Sequence, residues 1–206
     1  RGREREFWQL NVDVFGDDGP TADAEIIQFG VELMRAFGAK DELYTVKVNN
    51  RKLIDTMMTD YLGLDTVQAH LMVKLFDRKN KISNEEFRDQ AIDIFGTEAA
   101  PAGLKKIADL LLTKDVAHVP KELAANEALD DVRQLFIMLK KLGIENVVFD
   151  VTLMRGFDYY TGTVFEFFDT HPDNNRAMFG GGRYDGLVGL FGAEPISAVG
   201  IAPGLS

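Results

Sequence analysis

The chain has no cysteine, which excludes a disulfide framework and any thiolate metal site. A reducing, cytoplasmic setting is compatible with that. It also lacks a run of about 20 consecutive apolar residues, so no membrane-spanning helix is expected, and no secretory signal pattern is visible. Histidine is scarce. His70, His118 and His171 are scattered without a partner at ligand spacing, which argues against a metal centre built on them. There is no Gly-x-Ser-x-Gly elbow, and with thiols absent a covalent nucleophile has little support. Basic charge is the remaining shortage: 33 acidic against 23 basic side chains leave a net charge of −10, which argues against a general polyanion binder held by overall field. Any RNA contact would need local patches. Candidates are Arg1, Arg3 and Arg5, then Arg78, Lys79 and Lys81, then Lys105 with Lys106, and Lys140 with Lys141; the last three read as ordinary solvated helix faces.

What is present is a globular composition, 46% apolar and 27% charged over 206 residues, long enough for one domain with an insertion or two small ones. From Phe7 to Phe15 apolar and polar residues alternate, predicting one half-buried strand with Trp8, Leu10, Val12 and Val14 inward. A Gly-Asp-Asp-Gly-Pro turn comes next, then a helical stripe from Ile26 to Phe37 ended by Gly38. Leu43 to Val48 predicts a strand broken by Asn49 and Asn50. Helices are expected over residues 51–61 and 66–78, and Ser83 with Glu86 predicts a capped helix through Phe95. Residues 82–142 carry only helical patterns and read as a helical insertion. Strand character returns at 147–150, 159–168, after Ala177 and at 197–201, with a short helix over 184–191. Helices inserted in a largely antiparallel sheet predict an α+β architecture.

The densest signal is Arg155-Gly-Phe-Asp-Tyr-Tyr-Thr-Gly-Thr-Val-Phe-Glu-Phe-Phe168. Guanidinium, carboxylate and two phenols beside a run of β-forming aromatics need polar partners if covered, and a bound polar ligand would supply them. Arginine suits a phosphate or carboxylate; tyrosines suit a small aromatic or imidazole-like group. A hairpin with a surface Arg and core Tyr fits the same stretch. Near the start, Arg1, Arg3 and Arg5 share one side of an extended chain, and Gln9 and Asp13 fall on one strand face, where amide and carboxylate can hold an ammonium group. A solvent-facing sheet side is the alternative there. The glycine run Gly180-Gly-Gly-Arg-Tyr-Asp-Gly186 lacks the spacing of nucleotide loops and points instead to close approach by a ligand or neighbouring strand, as do Gly200 and Gly204. Such a pocket of fixed charges suits phosphoryl or nucleotidyl transfer by positioning and electrostatic stabilisation.

Three segments in this order, GREREFWQLNVDVFG at 2–16, LMRGFDYYTGTVFEF at 153–167 and GGRYDGLVGLFG at 181–192, resemble the catalytic domain of class II histidyl-tRNA synthetases. The first resembles the family's motif 2, the others its two histidine-recognition motifs. The resemblance implies the class II sheet with flanking helices, with a partial catalytic core at 1–81 and 143–206 and the insertion at 82–142. It further implies that Gln9 and Asp13 hold the α-amino group of L-histidine, that Tyr159 and Tyr160 enclose its imidazole, and that Tyr184 lines the pocket. Arg155 would be the catalytic arginine at the α-phosphate, Arg3 would lie near the ATP phosphates, and Gly200 would pass close to the nucleotide. ATP is then a substrate, Mg2+ bridges its phosphates, tRNA(His) receives the histidyl group, and the full-length protein is expected to be a homodimer.

The departures from the family pattern also carry expectations. Motif 1, the early histidine-binding segment, the first motif 2 arginine and the anticodon-binding domain are not in the chain, and motif 3 ends at Gly204-Leu-Ser206. The chain therefore reads as a fragment, inactive or nearly so alone. The competing reading is the synthetase-like, histidine-binding regulatory subunit of ATP phosphoribosyltransferase, disfavoured by the phosphate-facing arginines. A plain structural domain fits least.

Overall fold

A computed structural model describes residues 6–154, 159–174 and 176–205. Its main sheet has six strands. These are β2 (Val12–Phe15), β3 (Tyr44–Asn50), β4 (Val147–Phe149), β5 (Thr163–Asp169), β6 (Ala177–Arg183) and β7 (Ala198–Ile201), in the order β2-β7-β6-β5-β3-β4. Every neighbouring pair is antiparallel except β3 with β4. A separate ribbon pairs β1 (Trp8–Gln9) with β8 (Gly204–Leu205). The α+β expectation is met, and the sheet is largely antiparallel.

The long strand expected from Phe7 to Phe15 is divided in two. Leu10 donates its amide to the carbonyl of Pro203 at 2.9 Å, and Pro203 has no N–H to return, so the ladder lapses between the two pairings. Inward burial accordingly fails at the ribbon end: Trp8 is 82% exposed, whereas Val12 and Val14 pack on the sheet core. Asn49 and Asn50 do not break β3 but finish it. Asn50 is the last strand residue and caps the next helix, its side chain accepting the Lys52 amide at 2.9 Å, as asparagine does at helix starts.

Helix α1 (Pro20–Ala36) lies on one face of the sheet, and Gly38 turns the chain out with φ of 84°. α2 (Arg51–Thr56) runs on through a π-helical turn at Met57–Tyr61. α3 (Thr66–Asp77) opens with a reciprocal capping box between Asp65 and Gln68. α4 (Asn84–Phe95) is capped by Ser83, whose Oγ accepts the Glu86 amide at 3.0 Å, and it stops at Gly96. α5 (Ala100–Leu111) and α6 (Glu127–Lys141) complete the α-helices among the described residues. The expected helix over 184–191 is confined to a 3-10 turn at Val188–Phe191, because the Tyr184 amide stays in the ladder, donating to Ala198 O at 2.7 Å.

Two cores result. One is the sheet core, where Ile26, Ile27 and Val31 of α1 meet Val46, Phe165, Phe167 and Ile201. The other is helical, running from Leu53 through α3, α4 and α5 to Met154, so α2 and α3 share it with residues 82–142. Helix α6 belongs to both: Leu129 and Val132 sit in the helical core, Leu135 and Leu139 in the sheet core. Amphipathic period and burial agree along its whole length.

At the β3/β4 edge, Lys47 Nζ lies 2.8 Å from Asp150 Oδ2 and over the Phe168 ring. Burial pushes the Asp150 carboxyl up, but the Lys47 and Thr152 hydrogen bonds and the Lys47 charge together bring it below the ordinary aspartate range. A depressed native pKa contributes stability that is complete above the unfolded pKa of about 3.9 and is lost as pH falls through the native value. Asp150→Ala should therefore cost about 1–3 kcal/mol at pH 7. The gap to the unsubstituted chain should close below about pH 4 in urea titrations.

Candidate active site

Strand register builds a trough. Reading across the sheet, Asn49 pairs with Val164, Val164 with Gly182, Gly182 with Gly200 and Gly200 with Asp13. In the next row on the same face Lys47 pairs with Glu166 and Glu166 with Gly180. Of these eight positions three are glycine, so β6 and β7 form a bare floor between polar residues. A cavity of about 590 Å³ opens there, lined by Gln9, Tyr159, Tyr160, Glu166, Gly180 and Gly204, among others. That volume suits a small-molecule ligand.

Each polar wall has a traceable origin. Gln9 reaches the cavity from β1, its amide nitrogen 2.5 Å from Asn11 Oδ1. Asp13, on edge strand β2, is exposed and accepts a hydrogen bond from the Tyr184 hydroxyl. Burial, and next the hydrogen bond to Asp13, pushes the Tyr184 phenol well above its ordinary range, so it stays a donor at neutral pH. A Cβ at Gly200 would stand 1.9 Å from Asp13 Oδ1 and 3.2 Å from the Tyr184 hydroxyl. Gly200 thus leaves the room in which these two groups meet. The rings of Tyr159 and Tyr160 lie 4.3 Å apart, and Tyr159 is 6.3 Å from Tyr184.

Of the residues singled out in the sequence, Gln9, Tyr159 and Tyr160 line the cavity, and Asp13, Tyr184 and Gly200 lie beside it, reached through the Tyr159–Tyr184 ring contact and the Gly182–Gly200 pairing. Three differ in setting from their sequence reading. Tyr159 and Tyr160 precede β5 rather than beginning it, since the strand opens at Thr163. Tyr184 is buried, and its hydroxyl is spent on Asp13. Arg3 and Arg155 lie outside the described residues.

Sequence reasoning missed a buried carboxylate and a buried polar network. Glu166 is 6% exposed on the floor; a lone acid within a run of aromatic strand residues was its signal. Arg183 and Asp23, both buried, join with Nη2 2.7 Å and Nε 3.0 Å from Asp23 Oδ1. Arg183 also donates to the carbonyls of Asp17 and Gly19, and Thr163 Oγ1 donates to Asp23 Oδ2 at 2.6 Å. Arg183 stood within a glycine run read only for close backbone approach, and nothing nearby in sequence marked its partner 160 positions away.

The family model described as histidyl-tRNA synthetase matches residues 1–206. A histidine–tRNA ligase of Leptospira biflexa is 38% identical over 205 residues, covering 98% of this chain and 46% of that relative. The chain spans about half the length of the curated relatives it matches. Among solved structures, a histidyl-tRNA synthetase from a Nostoc species superposes with a TM-score of 0.84 at 24% identity, over 98% of this chain and 49% of that one. One described as an ATP phosphoribosyltransferase regulatory subunit/histidyl-tRNA synthetase, from Bacillus halodurans, gives 0.80 at 24% identity, over 99% of this chain and 53% of that one. At that identity the two structures speak for the fold alone.

Proposed function

The chain belongs to the histidyl-tRNA synthetase family, and from that premise we propose that its trough binds L-histidine beside ATP and forms histidyl-adenylate, from which the histidyl group passes to tRNA(His). The observation that carries this reading is the convergence of Gln9, the Asp13–Tyr184 pair and the Tyr159–Tyr160 pair around the glycine floor. The ammonium group of histidine is held by the Asp13 carboxylate and the Gln9 amide oxygen. Its imidazole lies against the two tyrosines, whose faces supply apolar contact and whose hydroxyls supply hydrogen bonds.

The histidine carboxylate then attacks the α-phosphorus of ATP, the bond to the β-phosphate oxygen breaks, and pyrophosphate leaves with the electron pair. Arg155 would offset the charge that gathers on the α-phosphate oxygens, which is electrostatic work that needs no nucleophile from the protein. Arg3 would meet the other phosphates, and Gly200 would leave room for the nucleotide. Among the described residues no group of three or more histidine, aspartate or glutamate side chains could hold a metal ion; magnesium would accompany the nucleotide phosphates, and the roles given to side chains are independent of it. A homodimer in a cytoplasmic setting, with residues 82–142 as an insertion resting on α2 and α3, completes the reading. No helix among the described residues is long and apolar enough to cross a membrane.

The test uses the full-length protein. Histidine-dependent exchange of pyrophosphate into ATP is expected, and Arg155→Ala should reduce it by about 10²–10³-fold while calorimetry shows histidine still bound. Asp13→Ala should lose both binding and exchange. Histidine binding without any exchange in the unsubstituted protein would replace this reading with the regulatory-subunit one.

A further inference from the structure

Tyr159 and Tyr160 stand outside any strand, so something other than a β-ladder must hold them. The next residue does so. Thr161 donates its amide to Arg183 O at 2.7 Å. Its hydroxyl lies 3.2 Å from Asp185 Oδ2 and 3.4 Å from Arg183 O, and accepts the Asp185 amide at 3.0 Å. The other Asp185 oxygen, Oδ1, takes the Ala198 amide at 3.2 Å and Arg183 Nη1 at 3.3 Å. One carboxylate therefore ties the tyrosine-bearing segment to β7, two residues before Gly200 and its partner Asp13. It also flanks Tyr184 in the chain, whose hydroxyl holds Asp13.

We propose that Asp185 and Thr161 act together as positioning residues that fix the spacing between the Tyr159–Tyr160 wall and the Asp13–Tyr184 wall, and so set the affinity of the site for its amino acid. The inference rests on the histidine-activating reading above. It assigns specificity to a contact outside the cavity lining. The two walls grip opposite ends of one small ligand, the ring and the ammonium group, so a shift of one wall weakens both contacts at once. Displacements of about 1 Å through residues remote from the chemistry can cost up to about 100-fold. The clamp is also separable from stability. The Asp185 side chain is 34% exposed, where ion pairs contribute little, and Arg183 keeps Asp23 and two carbonyls without it.

The experiment compares Thr161→Val, Asp185→Asn, their combination and Thr161→Ser in the full-length protein. Pyrophosphate exchange gives KM for histidine, KM for ATP and kcat; a thermal melt is recorded alongside. Expected are a rise of about 10-fold in histidine KM for Thr161→Val and for Asp185→Asn, with ATP KM and kcat within twofold. The combined variant should be no worse than either alone, since both remove one interaction. Thr161→Ser, which keeps the hydroxyl, should restore the unsubstituted values. The inference is overturned if histidine KM stays within twofold, if serine fails to rescue, or if both KM values move together with a falling melting temperature. An unsubstituted protein that neither binds histidine nor exchanges pyrophosphate would remove the parent reading and this inference with it; the other failures remove the inference alone.

Discussion

Replacing Arg183 with methionine is expected to destabilise the fold by about 3–5 kcal/mol, because it leaves the Asp23 carboxylate buried without its counter-charge. Two guanidinium nitrogens now contact Asp23 Oδ1, and Thr163 contacts Oδ2. Even so, burial, opposed by Thr163 and Arg183, leaves the Asp23 pKa above its ordinary value. A raised native carboxyl pKa contributes stability that is full below the unfolded pKa and is lost as pH rises through the native one. Without Arg183 that pKa climbs further. The deficit of the variant should accordingly be greatest near pH 7 and should shrink on acidification towards pH 5, as Asp23 takes up a proton. Urea unfolding at the two pH values measures this. Adding Asp23→Leu to Arg183→Met should recover most of the loss, since removing both members of a buried pair is far milder than removing one. A loss below about 1 kcal/mol for Arg183→Met at pH 7 would mean that water or a neighbouring group replaces the guanidinium.

Gly181→Ala and Gly200→Ala should fail in opposite ways, although the two sites lie on adjacent strands. At Gly181 the added Cβ would stand 2.0 Å from the Gly200 carbonyl oxygen and 2.7 Å from Phe165 Cζ. Neither can retreat, one being backbone within the sheet and the other a fully buried ring, so a loss at or above the usual 1–3 kcal/mol of overpacking, about 3 kcal/mol or more, is expected. At Gly200 the obstacle is Asp13 Oδ1 at 1.9 Å. That carboxylate belongs to an exposed side chain on an edge strand, and it can swing outward. Stability should then change by about 1 kcal/mol or less. The Asp13–Tyr184 hydrogen bond would break, however, and with bonds to charged groups contributing about 1.5–3 kcal/mol histidine binding should weaken by about 10-fold or more. Urea unfolding and calorimetry on both variants separate the two outcomes. Equal loss of stability in both would show Asp13 to be as immobile as the sheet.

Much of this arrangement was legible in the sequence because its signals are local. The helical stripes, the Ser83 cap and the glycine stops at Gly38 and Gly96 are set by period and backbone conformation, which short windows record. Gln9, Asp13, Tyr159 and Tyr160 stood out as polar groups beside strand patterns, Tyr184 only through the family resemblance, and the fold brings them near one another. What stayed hidden depends on partners far along the chain. Whether Asn50 breaks a strand or ends it and caps a helix is decided by its pairing with Thr163, more than a hundred positions later. The strand through Leu10 lapses because of Pro203, a residue nearly two hundred positions later. The Tyr159–Tyr160 segment leaves the ladder because Thr161 is captured by Arg183 and Asp185, and Arg183 reveals its role only beside Asp23. The site as a list of side chains was local information; the framework that spaces them is long-range.

Trp8, the one tryptophan in the chain, projects into solvent from the ribbon while the adjacent Gln9 faces the cavity. Its indole is already hydrated in the native state, so denaturation will hardly alter its emission, and unfolding must be monitored through circular dichroism instead. The same placement makes the indole a reporter of local events: whatever reorients Gln9 moves its neighbour, and excitation at the red edge, where the five tyrosines do not absorb, isolates that signal.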